Sequence, residues 1–197
     1  MHDDKILSLV RKFALEHSNK DDIHGFIHVG RVYNLCIRIG KLLDADLIAL
    51  KVASLLHDIG RISENEDPLR RNHAEISAEI ARNFLKSIDI NFKEDTINNI
   101  IHSIQAHSFS NFVKPETLEA KILSDADKLD ALGAIGLYRT IGFTVLNDGG
   151  IKEVIEHLEK KILKLKDLLY LEVSREIAEQ RQKIIVDFYN KIKEQIN

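Results

Sequence analysis

At 197 residues the chain can bury one sizeable hydrophobic core, and a composition of 44% apolar and 30% charged residues is that of a globular protein rather than a disordered one. A formal net charge of −3 at pH 7 excludes a broad basic footprint for duplex nucleic acid, while a small phosphorylated ligand held by an ion or a few local cations is compatible with it. Cys36 is the only cysteine, so no intramolecular disulfide can form. The start Met1-His2-Asp3-Asp4-Lys5 lacks the basic and apolar run of a signal peptide, and no uncharged stretch suits a bilayer, so a cytoplasmic location without a membrane partner is expected.

Two prolines and long stretches of helical periodicity predict an all-α fold in one domain over 1–197. Ile6, Leu9, Val10 and Phe13 mark a first amphipathic helix that fades near His17. After a polar connection, a second helix runs from Gly25 to Leu43 with Val32, Leu35, Ile39 and Leu42 on one stripe, which His28 continues four residues earlier. A third helix, capped by Asp44 or Asp46, carries Leu47, Leu50, Val52, Ala53 and Leu56 into the pair His57-Asp58. Gly60 is expected to end it in a left-handed C-cap that turns Asp58 back toward whatever His57 binds.

A charged surface loop is expected over Arg61 to Arg71. Asn72 and Glu75 resemble a capping box that starts a fourth helix at His73, and the stripe Ile97, Ile100, Ile101, Ile104 of a fifth reaches His107 at its margin. His102 falls on the opposite, solvated face. Pro115 is expected to open a sixth, largely buried helix through Leu118, Ile122, Leu123, Ala126, Leu129 and Leu132, with Lys121 and Lys128 on its outward edge. Asp125, Asp127 and Asp130 lie in that helix. Buried carboxylates are costly unless paired, hydrogen-bonded or bound to metal, so these three call for an explanation. Beyond the turn Asn147-Asp148-Gly149-Gly150, a charged helical hairpin fills about 151–197.

His28, His57, Asp58 and one aspartate of the sixth helix would form a mixed nitrogen and oxygen shell. It suits Mn²⁺, Fe²⁺, Co²⁺, Ni²⁺ or Zn²⁺ better than Ca²⁺ or Mg²⁺. An ion so held acidifies water and neutralises phosphate oxygens, which hydrolysis of a phosphoester or phosphoanhydride requires.

The order His28, then His57-Asp58, then Ser124-Asp125-Ala126-Asp127-Lys128-Leu129-Asp130-Ala131-Leu132-Gly133 resembles the HD-domain metal-dependent phosphohydrolases, over about His24 to Gly136. Within them the chain is similar to small stand-alone nucleotide pyrophosphohydrolases. The shared patterns are His24-x3-His28-x2-Arg31-Val32, Asn72-His73-Ala74, His107-Ser108-Phe109-Ser110 and the aspartate run. The resemblance implies an HD-domain helical bundle with a C-terminal helical hairpin, a core of about 24–136, and His28, His57, Asp58 and Asp127 as metal ligands. It selects Asp127 over Asp125, which periodicity does not. It also implies Asp58 and Arg61 as catalytic residues, and Arg61, His73 and His107 as contacts to substrate phosphate; some relatives use the two histidine positions for a second metal.

Two features depart from that group. The stretch from Gly136 to Gly150 is shorter than its glycine-rich loop, and the Gly-Tyr-Pro motif of the cyclic-dinucleotide subfamily is absent. The expected function is hydrolysis of a small nucleotide, as by a nucleoside triphosphate pyrophosphohydrolase. The alternatives are a phosphodiesterase or phosphomonoesterase on the same site, or a non-enzymatic signalling or scaffold module.

Overall fold

A computed structural model of the protein describes residues 2–64, 66–88 and 92–196. Among them are ten α-helices, two 3-10 segments and no strand, so the fold is all-α as the periodicity predicts. The chain forms two compact units, Met1–Ser124 and Asp125–Asn197. No single described helix is long and apolar enough to cross a membrane.

The first unit is built around α3 (Leu47–Leu56), against which α1 (His2–Glu16), α2 (Phe26–Leu42), α5 (His73–Ser87) and α6 (Glu94–Ala106) pack. From Val52 to Leu56 every residue of α3 is buried, because a helix apolar on all sides is stable only when surrounded. Its cap is Asp46, whose carboxylate accepts from the amides of Ile48 and Ala49 at 3.0 and 3.1 Å, a contact worth about 1 kcal/mol. Leu9 and Leu42, expected on buried stripes, are 43% and 64% exposed: Leu9 lies at the margin of its stripe and Leu42 is the last residue of α2.

Two expectations fail around His57. Among the described glycines only Gly133, at φ +77°, is left-handed, so Gly60 is not a C-cap of that kind. The chain instead continues in helical turns, with the Arg61 amide donating to Asp58 O at 3.1 Å, into the single turn α4 (Arg61–Glu64), where a loop was expected. Gly60 is needed for close approach. A Cβ there would lie 2.6 Å from Ser77 N and 2.7 Å from His73 O, and the Gly60 amide donates to Ser77 Oγ at 2.9 Å. Glycine is thus what lets the end of α3 rest on the backbone of α5.

Helix α7 (Leu118–Asp130) begins three residues after Pro115, because Thr117 accepts from the Ala120 amide and is the residue that caps it. It ends at Asp130, two residues before Leu132. Gly133 then opens α8 (Gly133–Leu146), so most of the stretch from Gly136 to Gly150 is helical. In the second unit α8 packs on α9 (Ile151–Lys160) and α10 (Glu172–Ile196), and the 3-10 segment Ile162–Leu168 packs on α9 and α10. The hairpin expected over about 151–197 is therefore α9 and α10 joined through that segment. Lys128 is buried rather than outward-facing: its ammonium lies 5.3 Å from the Tyr170 ring centroid.

Candidate metal centre

Four histidines reach one carboxylate from helix ends. His28 lies in the first turn of α2, His57 follows α3, His73 opens α5 behind its Asn72 cap, and His107 follows α6. All four are buried, and Asp58 is 3% exposed. Asp58 Oδ2 lies 3.5 Å from His28 Nε2 and 3.6 Å from His57 Nε2, while Oδ1 lies 3.5 Å from both His73 Nε2 and His107 Nε2. Within each pair the Nε2 atoms are 3.4 Å apart for His28 and His57, and 3.3 Å for His73 and His107. The carboxylate therefore divides its oxygens between two histidine pairs, giving the trios His28-His57-Asp58 and Asp58-His73-His107.

The outer nitrogens orient the rings. His57 Nδ1 donates to Ser54 O at 2.8 Å and His107 Nδ1 to Ile104 O at 2.6 Å; a carbonyl only accepts, so Nδ1 carries a proton in each ring and Nε2 is the nitrogen turned toward Asp58. His73 is held by Glu64, whose Oε1 accepts from the His73 amide at 3.0 Å and from Nδ1 at 3.2 Å. A carboxylate or carbonyl on the outer nitrogen of an inward-facing imidazole is the usual support of a metal ligand.

Electrostatics point the same way. Burial pushes the Asp58 carboxyl up, but the Arg61 guanidinium, with Nε 2.6 Å from Oδ2, and the imidazoles around it outweigh burial and hold it well below the usual carboxylate range. Burial, reinforced by the charge of Arg61, pushes His73 down to about 4, so its ring is neutral at pH 7. Asp58 Oδ1, 3.5 Å from two imidazole nitrogens, is too far from either for a good hydrogen bond and is buried without a hydrogen-bond partner. A cation among these donors would satisfy it. Nitrogen and carboxylate donors in each trio fit a divalent transition ion.

The structure brings together His28, His57, Asp58, Arg61, His73 and His107. Asp127 belongs to the second unit, on α7, where it is half-buried beside Lys128. Asp125 is engaged elsewhere: its carboxylate accepts from the amides of Tyr170, at 2.9 and 3.2 Å, and Leu171, at 2.9 Å, just ahead of α10. Burial pushes the Asp125 carboxyl up and those amides oppose it. His102 is half-buried rather than solvated, with Nε2 accepting from the Glu116 amide at 2.9 Å. Glu64 was not singled out by the sequence, where it is one more acid in a charged stretch; its only signal is that it sits three residues from Arg61.

Comparison with known proteins agrees with this geometry. The family model described as HD domain matches residues 25–132. YpgQ of Bacillus subtilis (strain 168) is 28% identical over 201 residues, covering 98% of this chain and 93% of YpgQ. The crystal structure of YpgQ in complex with ADP superposes with a TM-score of 0.78 at 25% identity, covering 99% of this chain and 97% of that one. A predicted HD superfamily hydrolase from an uncultured Thermotogales bacterium superposes with a TM-score of 0.67 at 26% identity, covering 98% and 92%.

Proposed function

Because the chain belongs to the HD-domain family, we propose that it is a metal-dependent phosphohydrolase of small nucleotides, cleaving a nucleoside triphosphate to the monophosphate and pyrophosphate. The observation that carries this reading is the buried Asp58 carboxylate, held ionised and faced by the Nε2 atoms of four histidines. The nucleotide assignment draws on YpgQ, which was crystallised with ADP.

His28, His57, Asp58 and Asp127 would hold the ion. When bound, it supplies a Lewis acid toward phosphate oxygens and makes a water nucleophilic near neutral pH. Asp58, held ionised beside Arg61, would keep a carboxylate oxygen available to accept a hydrogen bond from water at the site and so orient it. Arg61, paired with Asp58 and 22% exposed at its side chain, offers fixed positive charge to a phosphate at the rim of the cluster. His73, kept neutral by burial and the charge of Arg61 and oriented by Glu64, and His107, oriented by Ile104 O, position phosphate or complete a second ion site.

One observation favours a second reading. The trio Asp58-His73-His107 has the same donor set as the first, and two ions sharing a carboxylate suit phosphodiester cleavage. The test is turnover of nucleoside triphosphates and of bis(p-nitrophenyl) phosphate with Mn²⁺, scored for pyrophosphate, phosphate and nitrophenol, beside metal content. We expect pyrophosphate release with one ion per chain, and an Asp58→Ala variant that loses metal and on the order of 10³-fold in rate while staying helical. Nitrophenol release with two ions per chain would establish the diesterase reading instead. Full activity in Asp58→Ala would overturn both.

A further inference from the structure

An open groove of about 620 Å³ lies in the first unit between α2 and α3, which pack directly on one another. Small-molecule sites run from roughly 300 to 1,000 Å³, so the groove has room for a ligand of that class. Along α2, Tyr33, Ile37 and Lys41 form one row at four-residue spacing, with Asn34 and Arg38 in a second row beside it, and Lys51 joins them from α3. Tyr33, Ile37 and Lys51 are half-buried, while Arg38 and Lys41 are exposed.

The groove is sorted by chemistry. Arg38 and Lys41 lie toward the end of α2, and the Tyr33 ring and Asn34 amide lie up to two turns earlier. Among the described residues no carboxylate lines it, and the charged groups of Arg38, Lys41 and Lys51 form no ion pair or hydrogen bond. Asp4 of α1 is in electrostatic reach of Lys51 without pairing with it. In the turn that follows α2, Asp46 is spent on the cap of α3 and Asp44 is exposed. The negative end of α2 offsets only about half a charge, so the cluster stays strongly positive in a chain whose net charge is −3. Three like charges along one groove repel, and an anion among them removes that cost. A bare anion leaves Tyr33 and Ile37 unused, and an acidic peptide needs a longer charged track than cations at one end provide. From Tyr33 to Lys41 the helix rises about 12 Å, which is the reach of a nucleoside carrying a diphosphate. A base on the Tyr33 ring, beside the Asn34 amide, puts its phosphates among Arg38, Lys41 and Lys51.

We propose that this groove binds a nucleoside diphosphate, the base on Tyr33 and the phosphates on the three cations. It shares no residue with the metal centre, so the proposal stands apart from the hydrolase reading. The test is a titration of the isotope-labelled full chain with ADP at low salt, with chelator present, followed by the amide resonances. Shifts are expected from Tyr33 to Leu42 and around Lys51. Arg38→Glu/Lys41→Glu is expected to weaken binding by about 100-fold and Tyr33→Ala by about tenfold, with unchanged far-ultraviolet circular dichroism. Pyrophosphate and adenosine each lack half of the ligand and are expected to bind about tenfold more weakly than ADP, or worse. Should the glutamate pair not fold, Arg38→Ala and Lys41→Ala serve singly, each expected to cost about tenfold. Shifts confined to the surroundings of His57 and His107, or no shifts, overturn the proposal. So does pyrophosphate binding as tightly as ADP, which reduces the groove to a bare anion site, and so does a polyglutamate peptide that binds there where ADP does not.

Discussion

Glu64 spends one carboxylate oxygen on two donors of the same residue, the amide and Nδ1 of His73, and so sets both where that ring sits and which nitrogen it turns toward Asp58. If the Asp58-His73-His107 trio takes a second ion, as the diesterase reading requires, Glu64→Ala is expected to weaken its binding by about 10- to 100-fold, with Glu64→Gln less severe because its amide oxygen still accepts. Titration calorimetry with Mn²⁺ measures this directly; unchanged affinity in both variants would mean that His73 needs no such support. The two aspartates of α7 divide just as sharply. Asp125→Asn leaves a buried oxygen to serve two amides without its charge, and is expected to cost about 1–3 kcal/mol in urea unfolding while metal stays bound. Asp127→Asn is expected to lose metal with little loss of stability, and the reverse result would exchange their roles. Most of the cluster was legible in the sequence because His28, His57, Asp58, His73 and His107 combine helix-end positions with a known order of ligand types. Glu64 was not, since a single acid in a charged stretch carries no spacing that distinguishes it from a solvated one.

At the scale of elements, caps and stripes located the helices well: Asn72 is the N-cap read from the sequence, Asp46 is one of the two residues offered as the cap of α3, and the uniform apolarity of α3 matches its burial. What failed was punctuation. Pro115 suits a first helical turn but lost to Thr117, whose hydroxyl satisfies an amide that proline cannot. Gly60 carries no mark in the sequence to separate a left-handed cap from a close approach, because both need only the absence of Cβ. The structure decides between them, and so does a substitution. Gly60→Ala must push the end of α3 away from the backbone of α5, at a cost of about 1–3 kcal/mol, and it shifts His57 and Asp58 relative to His73. A lower Tm accompanied by weaker Mn²⁺ binding is the expected pair of results. A left-handed glycine would instead show the stability loss with the ligand geometry intact.

For the whole molecule, the cluster couples ligand to fold. The buried Asp58 Oδ1, which has no hydrogen-bond partner, costs free energy that a bound cation would recover, so an ion would bind the folded chain far better than the unfolded one. Free Mn²⁺ at 100 times its Kd would add about 2.7 kcal/mol and raise Tm by about 5–10 °C, and a melting curve indifferent to Mn²⁺ or to chelator would contradict the assignment. The same coupling reaches beyond catalysis. When cleavage is slow compared with reclosing, a protease samples the open fraction of a population, and that fraction grows about tenfold for each 1.4 kcal/mol withheld. Trypsin is therefore expected to digest the chelated protein many times faster than the loaded one. The acceptors crowded around Asp58 would then set the lifetime of each copy by whether it had found its ion, clearing the empty ones first.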